Sequence, residues 1–145
     1  MKSLLNIRHH YRMQSFQKLS INRMIFKKFS DSLKKGKIIM LAENGSLDEI
    51  LKNSTTPVMI DFFADWCPPC KKLTPVLESN FNKKQNFTLV KVNVDEHHDL
   101  SSKYGVTGIP HVVLVHNQKN VSKFVGYDER GLTGMLESID KMNKL

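Results

Sequence analysis

The sequence predicts an α/β domain: a central mixed β-sheet with helices on both faces, in the order β-α-β-α-β-α-β-β-α. Three observations carry this reading. From residue 37 onward, strand-like and helix-like segments alternate, the pattern of parallel strands joined by helical crossovers. The last two strand-like segments, Val112–His116 and Val121–Val125, are close enough to form an antiparallel hairpin across Asn117–Asn120. Apolar runs such as Val112-Val113-Leu114-Val115 are short, far below the ~20 residues a membrane-spanning helix needs.

Each element has a local cause. Lys37–Ala42 is short and apolar, the first strand. Ser46-Leu47-Asp48-Glu49 is a capping box that opens a helix over Leu47–Asn53, with Leu47, Ile50 and Leu51 on one side. Val58–Ala64 is apolar except for Asp61 and reads as a buried central strand. The next helix runs from Cys67 to Lys83, turning Leu73, Val76, Leu77 and Phe81 inward. Pro75 inside it supplies no N–H to the helical ladder and should bend it. Phe87–Val94 alternates with period two and is a strand; Glu96–Lys103 is a helix ended by Tyr104-Gly105. Asp128–Lys141 supplies the last helix, with Leu132, Leu136 and Ile139 on its apolar face.

The net charge of +8 suggests a nucleic-acid binder until it is divided along the chain. Residues 1–37 hold ten Lys/Arg and one acid, Asp31, whereas residues 38–145 hold twelve Lys/Arg against thirteen acids. The domain itself is not basic, which argues against a nucleic-acid partner. The N-terminal stretch is free of acids up to Ser30, with basic and hydroxylated residues interleaved, the composition of a mitochondrial transit peptide. Leu4, Ile7 and Tyr11 fall on one helical face beside Arg8 and Arg12, and no apolar core of secretory type is present. The expectation is a leader over residues 1–36, removed between Arg23 and Lys37, ahead of a domain over residues 37–145. It directs the protein to the mitochondrial matrix. A disordered basic tail on a cytoplasmic protein is the alternative.

The two cysteines, Cys67 and Cys70, are too close to staple a fold. At i and i+3 in a first helical turn their Cβ atoms lie about 5–6 Å apart, and a small adjustment reaches the ~3.8 Å of a disulfide. Cys67, at the helix start, faces unpaired N–H groups and the positive end of the helix dipole, both of which favour thiolate. It is therefore the attacking thiol, and Cys70, better shielded a turn inside, resolves the mixed disulfide. Pro68 and Pro69 stand where a helix tolerates proline, and Lys71 adds positive charge. A lone Cys-x-x-Cys is also half of a zinc site, but zinc needs two more ligands and the one ligand-rich stretch is His97-His98. Redox chemistry is the stronger reading, with no metal and no cofactor expected.

Taken together these segments resemble the thioredoxin family. The resemblance rests on Val58–Lys71 with Asp61, Trp66 and Cys67-Pro68-Pro69-Cys70, and on Pro75 and Lys91-Val92-Asn93-Val94-Asp95. Tyr104-Gly105-Val106-Thr107-Gly108-Ile109-Pro110 and Val125-Gly126 extend it across about residues 37–143. It implies a thioredoxin fold and a Cys67–Cys70 redox-active disulfide. Asp61 would be a buried carboxylate behind Cys70 that takes and returns its proton, moderated by Lys91; the plainer alternative is a hydrogen-bonded core group. Ile109-Pro110 would hold a cis peptide that leaves the Ile109 backbone free to pair with an extended substrate. Trp66 would wall the groove, unless it is simply a partly buried aromatic, and Gly126 would admit substrate backbone. The implied activity is reduction of disulfides in protein substrates by a monomer recharged by an NADPH-linked thioredoxin reductase.

Three departures stand out. Pro68 replaces the family's usual Gly between the cysteines; it restricts Cys67 and removes one first-turn donor, which should alter the reduction potential and leaves a net oxidase or isomerase as an alternative activity. A docking subunit is the non-enzymatic alternative, since a fold alone does not fix function. His111 follows Pro110 where Thr is common; it either titrates beside the thiols or is a strand residue with a satisfied ring. The usual Asn-Gly hairpin turn is missing, so a longer loop is expected over His116–Asn120.

Overall fold

Apolar strands in the centre of the chain can satisfy their backbones only by pairing, and here five of them do so in the order β1-β3-β2-β4-β5. A computed structural model describes residues 23–25 and 35–144. The strands are β1 (Ile38–Met40), β2 (Val58–Phe63), β3 (Thr88–Asn93), β4 (His111–His116) and β5 (Lys119–Val125). Within residues 35–144 the helices are α1 (Leu47–Asn53), α2 (Pro68–Lys84), α3 (His98–Lys103) and α4 (Glu129–Met142). Strands β1, β3 and β2 run parallel, while β4 is antiparallel to β2, and β5 to β4. Element order and the mixed sheet are as the sequence predicts. The amphipathic face expected at Leu4, Ile7 and Tyr11, like most of the expected cleavage region, lies outside the described residues. Among the described residues no helix is long and apolar enough to cross a membrane.

Side chains alternate across the sheet, and each face has its own core. Met59, Leu89, Val112 and Leu114 pack with Leu73, Leu77 and Phe81 of α2 and with Leu132, Met135 and Ile139 of α4. Val58, Ile60, Phe62, Val90, Val92, Val113 and Val115 form the other core, with Leu47 of α1 and, partly buried, Leu100 of α3. Strand β2 lies between them with all of its residues buried.

Local details differ from expectation. Of the capping box, the Ser46 hydroxyl accepts from the Glu49 N–H at 3.3 Å. Strand β2 stops at Phe63 rather than Ala64, and α2 begins after Cys67, which is its N-cap. The longer hairpin loop does not exist: His116 pairs with Lys119 around a two-residue turn. Asn117 and Gln118 both take positive φ, 49° and 62°, as a type I′ turn requires because its twist matches that of the strands. Asn adopts this left-handed conformation readily; Gln118 is held there by the pairing on either side. One residue of β5 is absorbed as a bulge, since Leu114 pairs with Ser122 and Val115 with Asn120.

Relieving the left-handed Gln118 should stabilise the hairpin. Gln118→Gly is expected to raise stability by about 0.5–1 kcal/mol, the αL cost less glycine's extra unfolded-state entropy. Urea unfolding measures it; a lower midpoint than wild type would contradict the strain argument.

Candidate active site

The end of β2 delivers the chain through Ala64-Asp65-Trp66 to the start of α2. The Cys67 N–H donates to the Ala64 carbonyl at 3.2 Å, and Cys67 takes an extended conformation (φ −89°, ψ 106°) before the helix begins. Pro68 and Pro69 fill the first two helical positions, where missing amides leave no intrahelical bond unmade. Cys67 and Cys70 are joined as a disulfide with their Cα atoms 5.3 Å apart. Because both prolines lack an N–H, one first-turn amide remains to face the sulfur, and the Cys70 N–H donates to Cys67 Sγ at 3.3 Å. The several unpaired donors anticipated from the sequence thus reduce to one. The expected contrast in shielding is also absent from this disulfide form: each cysteine is 2% exposed. They sit in an apolar cluster with Phe63 and Ala64, flanked by Val94 and Ile109.

Asp61 is 1% exposed. It shares the α2-covered side of β2 with Met59. Burial pushes its carboxyl up to about 7; Lys91 opposes this shift and Glu78 reinforces it. Its Oδ1 has no hydrogen-bond partner among the described residues, so the plain reading of a fully hydrogen-bonded core group does not describe it. Lys91 is its register partner on β3, yet the Lys91 Nζ bonds Glu78 Oε1 at 3.1 Å and lies 5.3 Å above the centre of the Phe63 ring. Glu78 escaped the sequence reading. The available signal was its position eight residues beyond Cys70, on the face that Cys70 and Thr74 begin.

Around the disulfide, Ile109-Pro110 is a cis peptide. Among the described residues no hydrogen bond is made to the Ile109 backbone outside it. The Gly126 N–H donates to the Pro110 carbonyl at 2.7 Å, and Gly126 has φ +82° with nothing within 4 Å of where a Cβ would stand. Backbone conformation, rather than crowding, demands glycine there. Trp66 is 66% exposed, so it is not a partly buried core aromatic. Its ring N–H donates to Asp95 Oδ2 at 2.9 Å, a contact the sequence did not single out. Lys71 and Pro68 are exposed and Pro69 half-buried.

His111 is placed elsewhere. Alternation along β4 puts it with Val113 and Val115 on the side of the sheet opposite Asp61, its ring edge-on to Phe62. Burial, with Lys123 adding to it, holds its ring below the ordinary histidine range, and neither ring nitrogen has a partner among the described residues. It is a neutral core residue, and the satisfied ring considered from the sequence is not found. His97, the buried member of the His97-His98 pair, lies with Nε2 3.4 Å from the Leu41 carbonyl.

Residues 37–140 match the thioredoxin family profile. The chain belongs to the thioredoxin family. It is 44% identical over 77 residues to thioredoxin of Chlamydia caviae, covering 53% of this chain and 76% of that protein. Mitochondrial thioredoxin of Mus musculus is 43% identical over 89 residues, 60% of this chain and 54% of the mouse protein, so just over half of that relative is spanned. Among solved structures, the reduced thioredoxin pre-protein of Schistosoma mansoni superposes with a TM-score of 0.66 at 28% identity, covering 72% of this chain and 99% of that one. With its disulfide at the head of α2, the chain is a thioredoxin-type protein-disulfide oxidoreductase.

The raised carboxyl makes stability depend on pH. Between the ordinary aspartate value of 3.8 and about 7, folded Asp61 keeps a proton that the unfolded chain releases. Its contribution is therefore favourable at low pH and lost as pH rises through 7. At about 1.4 kcal/mol per pH unit the effect reaches at most about 4 kcal/mol. Asp61→Asn should be more stable than wild type by about 2–4 kcal/mol at pH ~8, with the gap closing toward pH ~4. Urea unfolding of the oxidised proteins checks this, and a gap independent of pH would contradict it.

Proposed function

We propose that this protein reduces disulfides in protein substrates, cycling Cys67 and Cys70 between dithiol and disulfide. The observation that carries this reading is the Cys67–Cys70 disulfide at the start of α2, combined with a buried carboxyl, Asp61, poised near neutrality on the same side of the sheet. In the dithiol form the Cys67 thiolate attacks a substrate disulfide. One substrate sulfur leaves as thiolate and takes up a proton, and a mixed disulfide joins Cys67 to the other. Asp61, ionised, accepts the Cys70 thiol proton, directly or through water. The Cys70 thiolate then attacks Cys67 Sγ, expelling the second substrate sulfur, which is protonated in turn. Two electrons have passed to substrate and the Cys67–Cys70 disulfide has formed.

The surrounding residues fit roles in the same cycle. Trp66, Ile109, Pro110 and Gly126 offer an exposed aromatic wall, an unpaired backbone segment and an open glycine against which an extended substrate strand can lie. Lys91 tempers the Asp61 shift, and Lys71 adds positive charge near the thiols. Pro68, the departure from the family's usual glycine, occupies the first helical position. There it restricts Cys67 and removes one first-turn N–H. The family match and the buried Asp61 are what favour a reductase over a net oxidase or isomerase.

A monomeric domain over residues 37–145, recharged by an NADPH-linked thioredoxin reductase, completes the proposal. The acid-free leader over residues 1–36, together with relatives in mouse, rat and cattle named as mitochondrial thioredoxins, supports residence in the mitochondrial matrix rather than the cytoplasm.

Insulin reduction with dithiothreitol as donor tests the activity. Cys67→Ser should fall to the uncatalysed rate, while Cys70→Ser should accumulate mixed disulfides visible on non-reducing gels. A fully active Cys67→Ser protein would point instead to a docking subunit. A reduction potential nearer −120 to −180 mV than −270 mV, measured against glutathione, would turn the assignment to an oxidase or isomerase. For the leader, the N-terminus of protein recovered from mitochondria should begin between Arg23 and Lys37. Recovery with Met1 intact would overturn its removal.

A further inference from the structure

We infer that Glu78 is a positioning residue for the proton step: it holds the Lys91 ammonium off the Asp61 carboxyl, so that this carboxyl remains able both to take and to give a proton. The inference rests on the proton-carrier role proposed for Asp61 and assigns that role a control element.

Lys91 and Asp61 are register partners on adjacent parallel strands and project to the same side of the sheet. A lysine so placed beside a buried carboxylate would normally pair with it, and a paired carboxylate stays ionised through the neutral range. Such a group takes up a proton poorly. In this protein the ammonium is drawn toward α2: its Nζ bonds Glu78 Oε1 at 3.1 Å and rests over the Phe63 ring. Asp61 Oδ1, meanwhile, has no partner among the described residues. The Lys91 side chain is 13% exposed and that of Glu78 38%, so the pair sits at the margin of the core, with its carboxylate end toward solvent.

The groups facing Asp61 can be taken element by element. Strand β3 brings Lys91, and β4 brings the apolar Val112 as register partner. Helix α2 brings Glu78 and, at its start, Cys67 and Cys70. Helix α4 meets this side of the sheet with Leu132, Met135 and Ile139, while α1 and α3 contribute to the opposite core. The charged groups bearing on the carboxyl are thus Lys91, which favours the ionised form, and Glu78, which disfavours it. Glu78 acts twice, through its own charge and by anchoring Lys91.

The test is a ¹³C NMR titration of the Asp61 carboxyl in the full-length protein, run beside the pH–rate profile of insulin reduction. Glu78→Gln keeps an oxygen for Lys91 but removes the negative charge, and should lower the Asp61 midpoint by about one pH unit, moving the rate profile with it. Lys91→Met should move both in the opposite direction. Glu78→Asp, which keeps the charge, should titrate nearer wild type than Glu78→Gln does. A general loosening of the site would not produce shifts of opposite sign in the two partners. An Asp61 midpoint unchanged in Glu78→Gln, or shifted the same way in Glu78→Gln and Lys91→Met, overturns the inference. If Asp61→Asn leaves the wild-type rate profile unaltered, the proton-carrier role itself fails. If it abolishes the pH step while Glu78→Gln leaves that step in place, only the role of Glu78 fails.

Discussion

Strand β2 is hydrogen-bonded along both edges and covered on both faces, so a polar side chain on it has only protein to turn to. Most of its residues are apolar and gain by this. Asp61 does not, and its burial is the constraint from which the site's chemistry follows. Desolvation of the carboxylate outweighs the attraction of a lysine in the adjacent register, and the carboxyl is pushed up to about 7. A stability cost is accepted at the middle of the sheet, as is common where a titratable group serves a reaction.

The same strand fixes the thiols. Because β2 is central and buried, the three residues after it set where α2 can start, and Cys67 becomes its N-cap. Two influences then oppose each other at this sulfur. The apolar cluster of Phe63, Ala64, Val94 and Ile109 disfavours a thiolate. The helix N-terminus and the Cys70 amide favour it. Two prolines in the first turn leave that amide as the single helical donor, so the balance at Cys67 rests on fewer groups than a proline-free turn would supply. Around this core the groove is assembled from separate elements. Trp66 is steadied by Asp95 from beyond β3, and Pro110, ahead of β4, is joined to Gly126 beyond β5.

Much of this is legible in the sequence. Helix and strand periods identify the elements of residues 37–143, because both faces of the sheet need apolar residues at regular spacing. Cys67, Cys70 and Asp61 stood out because a close cysteine pair and a charge in an apolar strand are locally abnormal. The misreadings were of another kind. Sequence signals described the hairpin as lacking its favoured turn residues, yet pairing of β4 with β5 forced Asn117 and Gln118 into the left-handed region. His111 lay one residue from the groove in sequence, but strand alternation turned it to the far side of the sheet.

The sequence by itself determined the fold class, the order of elements and the redox pair. Each of these depends on period or spacing within a short stretch of chain. Only the tertiary structure decided the partners: that Lys91 answers to Glu78 rather than to Asp61, that Trp66 stands exposed on Asp95, and that one amide serves Cys67. The physical reason is that these are contacts across 3–29 residues whose outcome turns on ångström distances and on competition between neighbouring groups. A linear pattern records which groups are present, whereas packing decides which of them meet.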